Sequence, residues 1–552
     1  MADWHSLHLS LDAGTAGTDA FVTGQLAPLL EEFISAGTAE EWFFIRYGEG
    51  GPHLRIRVRG LRSPALPGRL ADRLAELAAK CPAESGPWPT PHGQVSAVPY
   101  LPETDRYGGP AALPIAERLF TVSTRTAVAA LHQLAAGTTR LVLAADLAHA
   151  TAHALGLDRL AAARWLRGQA AGWRWVTEVP LLAAAAVHSR VNSVYAQQRS
   201  SLLGRADALH GQLAEGSAAP WLADWVAEVR AADQELRALP DPDSSRLGWA
   251  WGSQLHMLFN RLGVSPDEER AVCRLAARTL LDSGEPPSFF PEGHRAPDRQ
   301  YLERSKFQIG RNEDTALRPL AGTPPEPSPT ELPLAARPLP ETTLRTALAT
   351  RRSARGPLTG PLDAATLGGL LWETLAESHR TDQPLAAGGL RRLAHRPYPS
   401  AGALYTARLR LVARSVDGLA PGTYEVYPER RTLRPIGPAP TLDELEALST
   451  YFSRPATDPD RIGLEEAPAL LGLYLDYGLL RERYGLRALR LGLLEAGHLA
   501  QNLLLGLAAL GLATTPLGGF HDDLAHELLG LSDLDQPLQY LLPLGRTAPA
   551  GP

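Results

Sequence analysis

Residues Trp42–Arg59 read WFFIRYGEGGPHLRIRVR, and how this stretch folds decides the first half of the chain. Trp42 to Tyr47 is aromatic and β-prone, and Gly48-Glu49-Gly50-Gly51-Pro52 is a run of turn formers. From there Leu54, Ile56 and Val58 fall on one side of a strand, and His53, Arg55, Arg57 and Arg59 on the other. Outward residues on such a strand repeat about every 7 Å. Two readings fit that spacing: a solvated strand face with arginine as its polar residue, or a fork of guanidiniums that grips a carboxylate.

Around this hairpin the first half alternates strand and helix signals. Trp4 to Leu11 alternates as a strand, with His5, Leu7, Leu9 and Leu11 against Ser6, His8 and Ser10. Helical spacing follows over 19–35 and, with Leu66, Leu70, Leu74 and Leu77, over 63–80. Residues 94–101 read as a second alternating strand. It runs into Glu103-Thr104-Asp105-Arg106-Tyr107-Gly108-Gly109, a loop with an acid and an arginine three apart, which serves a salt bridge or a site. From Pro114 to Leu280 the pattern is helical and Ala/Leu-rich, without a repeat. Within it LHMLFNRLG closes a helix at Gly263. His256 and Asn260 share one face of that helix; a lone helical histidine is a packing residue or a proton carrier.

Composition narrows the class. A chain of 552 residues is too long for one ordinary core, so at least two domains are expected. The net charge of −6 argues against a general nucleic-acid binder. Lysine occurs only at Lys80 and Lys306, so arginine carries nearly all positive charge. Cys81 and Cys273 lie far apart and indicate neither a zinc site nor a disulfide framework. The opening MADWHSLHLSL has no signal-peptide pattern and no apolar run spans a membrane, so a cytoplasmic enzyme is expected.

Prolines crowd 315–341, which excludes a helix or central strand there. The stretch is an extended spacer or an arm packed on a domain. Beyond it come a short helix over 342–349, RRSAR at 351–355, an amphipathic helix over 362–376 started by Asp363, and a turn-rich RPYPSAGALY at 396–405. Strands are expected at 406–412 and 422–427, a buried strand at 469–477, a long apolar helix over 488–510 capped by Gly511, a strand opening into Leu517-Gly518-Gly519-Phe520, and a closing strand at 538–544. Arginines at a helix start and two glycine loops are parts that can hold a phosphate and a flat ring.

Two resemblances rest on these motifs. The WFFIRYGEGGPHLRIRVR, ETDRYGG and LHMLFNRLG segments, in this order, resemble the thiopeptide-type bacteriocin biosynthesis domain, the glutamate-eliminating C-terminal part of class I lanthipeptide dehydratases. The resemblance implies release of glutamate from a glutamylated Ser or Thr of a precursor peptide. It assigns the elimination residues to Arg55, Arg57, Arg106, Glu103 and His256. The alternatives are a pyridine-forming cycloaddition enzyme on the same scaffold, or a peptide-docking scaffold. The RRSAR, RPYPSAGALY, EAGHLAQNLLL and LGGF segments resemble the nitroreductase superfamily and, more narrowly, its SagB-type FMN-dependent azoline dehydrogenases. That implies oxidation of azolines to azoles. FMN contacts then fall on Arg351, Arg352, Ser353, Arg355, Pro399, Ser400, Gly402, Gly518 and Gly519, with Asn502 and Gln501 as second choices. Where these dehydrogenases carry a Lys-Tyr pair, this chain has Arg483-Tyr484. Arginine cannot replace lysine as a base, so either Tyr484, with Arg483 as an electrostatic helper, or a water removes the proton, or the flavin suffices because aromatisation drives the oxidation.

The expected architecture is therefore α+β: a glutamate elimination domain at 1–314, a proline-rich linker at 315–341, and a nitroreductase-like domain at 342–552. The implied partners are a ribosomally made precursor peptide and the glutamylating and cyclodehydratase enzymes of the same pathway. A homodimer through the flavin domain is implied, with no direct tRNA or DNA binding, no membrane and no metal.

Overall fold

The computed structural model describes residues 4–84, 86–135, 137–176, 178–240, 244–284, 288–309, 327–384 and 389–547. The chain divides into two compact units, Met1–Trp173 with Ser189–Gly284, and Arg174–His188 with Glu285–Pro552.

In the first unit β1 (Trp4–Ser10), β2 (Glu41–Tyr47), β3 (His53–Arg59) and β4 (Val95–Ala97) form an antiparallel sheet in the order β2–β3–β1–β4. The second strand expected over 94–101 shrinks to β4, because the chain turns away into the Pro99–Gly109 segment after only a short pairing with Leu7–Leu9. Register sets Ser6 and Phe43 beside Arg57, and His8 and Ile45 beside Arg55. One face thus carries His53, Arg55, Arg57 and Arg59, and the other Leu54, Ile56 and Val58, all at most 1% exposed. A continuous helical segment, Gly14–Ser35, contains a π-turn at Val22–Leu26 and lies on the apolar face, where Trp42 Nε1 donates to Glu31 at 3.4 Å.

The arginine face is roofed at one end. Helices Leu113–Ala135 and Ser244–Leu262 pack against β2, and Phe120 meets Phe43 at 5.1 Å between ring centroids. Fully solvated outward arginines are therefore not what forms: Arg57 is buried, and Arg55 half-buried. Asn260 accounts for the register of the roof. Its Oδ1 accepts from Arg46 N at 2.9 Å and its Nδ2 donates to Arg46 O at 2.9 Å, filling the free edge of β2. Below it Asp19 pairs with Arg46 at 2.6 Å and with Arg140.

In the second unit an antiparallel sheet runs in the order Leu538–Leu544, Ala469–Leu475, Ala407–Ala413, Gly422–Tyr427, Thr432–Gly437, Leu332–Pro333. Both of its faces are covered. Leu409, Leu411, Leu471 and Leu473 pack with helices Ala364–Leu375 and Ala488–Ala509. Val412, Leu470, Tyr474 and Leu541 pack with Phe452 and helix Asp522–Leu529. Burial on two sides is why LLGLYL is continuously apolar.

Of the proline-rich stretch, residues 315–326 lie outside the described residues. The rest is an arm on the second unit. Leu332 and Pro333 pair with Leu433 and Thr432, Leu334 is buried, and Arg430 pairs with Glu331 at 2.6 Å. The arm crosses the Ala364–Leu375 helix where Gly368 and Gly369 leave space. A Cβ there would stand 2.0 and 1.9 Å from the carbonyl oxygens of Ala335 and Arg337. Residues 174–188 also belong to this unit: Arg174 pairs with Glu444 at 2.6 Å, and His188 Nε2 lies 2.7 Å from Glu527 Oε2. The antiparallel hairpin His379–Pro384 with Leu390–His395 had no legible alternation in sequence. Among the described residues no helix is long and apolar enough to cross a membrane.

Replacing Asn260 by Ala removes both bonds to the β2 edge. We expect a loss of about 1–3 kcal/mol, read as a lower melting temperature of the full chain.

Candidate functional site

In the first unit the ETDRYGG loop folds as a single 3-10 turn, Thr104–Tyr107, closed by Gly108 at φ 94°. Tyr107 is buried against Phe120, with ring centroids 4.9 Å apart. That anchor turns Arg106 toward the Ser244–Leu262 helix. Its Nη1 donates to Glu103 at 2.9 Å and its Nε to Ser253 Oγ at 3.3 Å. Burial works against the charge of Arg106, but Tyr107, Glu103 and Glu269 outweigh it and raise its pKa.

One turn along the same helix, His256 Nδ1 lies 2.8 Å from Glu269 Oε2. Glu269 is fully buried, and its other oxygen accepts from Gln169 Nε2 at 3.0 Å. Trp173 meets the imidazole edge-on at 4.9 Å. A carboxylate held on Nδ1 fixes the ring and its tautomer and leaves Nε2 as the other ring nitrogen that can carry or accept a proton. Glu269 was not singled out from sequence; its only signal is the capping box Ser265-Pro-Asp-Glu268 next to it.

On the sheet, Arg55 stacks over Tyr47 at 3.3 Å and donates to His53 Nε2 at 3.3 Å. Arg57 lies over Tyr100 at 4.8 Å, and burial pulls its pKa down. Glu103 and Tyr107 are close enough to Arg57 to act on its charge. Arg57, Glu103 and Arg106 therefore share one neighbourhood, and the Arg106–Glu269 interaction ties His256 to it. Arg55 stands one pair further out, beside His8, whose pKa burial and Arg55 lower to about 4.

In the second unit the predicted residues fall in two groups. Ser353 bridges to Thr514, and Arg355 Nη1 donates to Thr515 Oγ1 at 3.4 Å. Leu517 bridges to Leu541, which leaves Gly518 and Gly519 exposed. The second group is the Pro399–Tyr405 loop. Gly402, Ala403 and Tyr405 all take positive φ, at 61°, 55° and 51°. Strained non-glycine backbone of this kind concentrates at functional sites.

Buried Glu495 holds this second loop. Its Oε2 accepts from Ser400 Oγ at 2.6 Å and its Oε1 from Ala407 N at 2.7 Å. Ser400 thus shapes the loop rather than offering its hydroxyl to a ligand, and Glu495 is a residue that sequence reasoning passed over. Tyr484 closes the loop's far side: its hydroxyl oxygen lies 2.5 Å from where a Cβ on Gly402 would be, with Arg483 Nε at 3.8 Å. A cavity of about 630 Å³ opens here, lined among others by Pro399, Gly402, Tyr405, His379 and His395. Strand spacing puts the Leu517 and Ala407 ends of the two groups on the order of 15 Å apart. Asn502 is used otherwise: its Nδ2 donates to Thr374 O at 2.8 Å and ties two helices together, while Gln501 is exposed.

Residues 4–280 match the family described as lantibiotic biosynthesis dehydratase C-term, and residues 348–546 match the nitroreductase family. The chain belongs to the lantibiotic dehydratase C-terminal family and carries a nitroreductase domain behind it. It is 30% identical over 213 residues to the nitroreductase MJ1384 of Methanocaldococcus jannaschii, covering 37% of this chain and 92% of that one. It is 28% identical to the microcin B17-processing protein McbC of Escherichia coli over 140 residues, 25% of this chain and 48% of the other. Among solved structures, the pyridine synthase TbtD from thiomuracin biosynthesis matches with a TM-score of 0.39 and 24% identity, over 51% of this chain and 98% of that one. Nitroreductases solved in complex with FMN are among the further matches. The two families make this chain a modifying enzyme for ribosomally made peptides with an oxidoreductase half.

The residues present fit a flavin phosphate. Among the described residues the Arg351 and Arg352 side chains make no hydrogen bond or ion pair, and the Gly518 and Gly519 N–H groups have no acceptor.

Gly402→Ala forces a Cβ onto Tyr484 at positive φ. We expect about 1–3 kcal/mol of destabilisation. A thermal-melt cycle with Tyr484→Ala should recover the steric share and leave the backbone share.

Proposed function

We propose that the first unit eliminates glutamate from glutamylated Ser or Thr of a precursor peptide, leaving dehydroalanine or dehydrobutyrine. The observation that carries this is the imidazole of His256, tied through Nδ1 to buried Glu269 beside the arginines. In β-elimination a base takes the Cα proton, the Cβ–O bond breaks, and a carboxylate departs with the bonding pair. His256 Nε2 is the proton acceptor, since Glu269 occupies the other ring nitrogen. Arg57 and Arg106 are permanently charged and hold the departing carboxylate and the enolate charge. Glu103 sets Arg106 by their 2.9 Å bond, and Arg55 extends the charged face outward. The Tyr47 ring fixes the Arg55 guanidinium at 3.3 Å, so little conformational entropy is lost on binding.

The second unit, in this reading, oxidises azolines to azoles. FMN would sit with its phosphate at Arg351, Arg352, Ser353 and Arg355, approached by Gly518 and Gly519, and its ring toward Pro399, Ser400 and Gly402, and would supply the hydride acceptor. Tyr484 moves the ring proton, because Arg483 stays protonated and serves only to polarise the tyrosine. One precursor peptide meets both units, and the tether raises the effective concentration of each activity for it. The enzymes that glutamylate and cyclise that peptide are the expected partners, and the flavin unit is the expected dimer contact.

The test is mass spectrometry of a glutamylated, azoline-bearing peptide after incubation with the protein. Loss of glutamate and loss of two hydrogens per ring are scored separately. His256→Ala should slow glutamate release about 10²–10⁴-fold and leave ring oxidation intact. Tyr484→Phe should do the reverse. A wild-type protein that leaves the glutamylated peptide unchanged, or forms a pyridine from dehydroalanines, rules out the eliminase reading.

A further inference from the structure

Arg57 from β3 and Arg261 from the roofing helix meet over the ring of Phe43, at 5.4 and 5.8 Å from its centroid. Arg261 is 0% exposed and Arg57 is 8% exposed. None of the three guanidinium nitrogens of Arg261 has a hydrogen-bond partner, and neither does Arg57 Nε. Ser6 Oγ, on the cross-strand neighbour of Arg57, is also buried and unpartnered. Among the described residues neither arginine forms an ion pair. Aromatic faces lie over both: Phe43 and Phe120 for Arg261, Phe43 and Tyr100 for Arg57.

A buried charge without a counterion is among the least tolerated features of a protein interior, and two of like sign side by side are worse. Cation–π contact offsets only part of that cost. Burial, with Arg57 close by, pulls the pKa of Arg261 down to about 9, which still leaves it charged at neutral pH. Glu103 acts on Arg57 only from a distance, being bonded to Arg106 at 2.9 Å, and the groups that act on Arg261 are Tyr107, Tyr100 and Arg57 itself. Burial pushes Tyr107 up to about 12, and Tyr100 is also raised. Ser6 Oγ, Arg57 Nε and the Arg261 guanidinium are thus unpaired polar groups gathered around Phe43, the first two on the sheet and the last on the helix above it.

We propose that Arg57 and Arg261 form a carboxylate-holding pair, in which Arg57 touches the glutamate carboxylate expelled from the peptide and Arg261 stands behind it as a buried second charge. The class of anion rests on the eliminase reading; the need for an anion rests on the unpaired guanidiniums alone. Arg261 acts through Arg57 and is a positioning residue.

The experiment uses the full-length protein and its Arg261→Met variant, which keeps side-chain bulk and removes the charge. L-glutamate binding is measured by titration calorimetry, with thermal melting alongside and both peptide reactions followed by mass spectrometry. The expected result is glutamate affinity and glutamate release each at least 10-fold lower, with unchanged azoline oxidation and an equal or higher melting temperature. Arg261→Lys should recover part of the affinity. Wild-type affinity and release in Arg261→Met overturns the proposal. So does a fall in melting temperature with lost binding that lysine does not restore, since that marks a purely structural role. If wild type binds L-glutamate, Arg261→Met does not, and neither releases glutamate from peptide, the pair stands and the eliminase reading falls.

Discussion

The first unit depends on burying guanidinium groups beneath a helical roof. A strand that alternates leucine with arginine must send its arginines somewhere. Here two helices cover half of that face rather than leaving it to water. The sheet's apolar side supplies the burial that makes the fold stable, with Leu54, Ile56 and Val58 at most 1% exposed. Its charged side then becomes a low-dielectric surface where fixed positive charge acts far more strongly than in water. Asn260 is the fastener that makes this possible, because an open β2 edge would let the roof slide.

The second unit meets the same problem with carboxylates and glycines instead of arginines. Glu495 is buried on the core side of its helix, and hydroxyl and backbone donors from the Pro399–Tyr405 loop and the following strand converge on it. That set of bonds balances the left-handed backbone at Ala403 and Tyr405, which would otherwise relax. The arm over Gly368 and Gly369 covers the helix behind this sheet. The proline-rich sequence is thus, in its described part, a packed element of the second unit.

In both units the groups that can do chemistry are held by residues with no chemistry of their own. Glu269 orients His256, Tyr107 anchors the turn that aims Arg106, and Glu495 shapes the loop that Tyr484 closes. Glu269 and Glu495 act through hydrogen bonds and Tyr107 through a ring contact, all made by buried groups, where bonds are strong and a missing partner is costly.

Much of this was legible in the chain itself. The alternation of β1 and β3, the buried run at 469–475 and the long helix ending before Gly511 follow from periodicity and residue type, which are local properties; Arg57, Arg106 and His256 stood out only through the motifs that resemble a known family. What the chain could not show was which face would be covered, and by what. The His379–His395 hairpin was missed because it is short, polar and exposed, so it lacks the alternation that burial imposes. Glu269, Glu495 and Arg261 were passed over because a buried charge looks like any other charge in one dimension. Local pattern determined the elements and the strand face that carries the arginines. Tertiary packing alone decided that Arg57 and Arg261 would lose their water together, because desolvation depends on what folds over a residue and not on its neighbours in sequence.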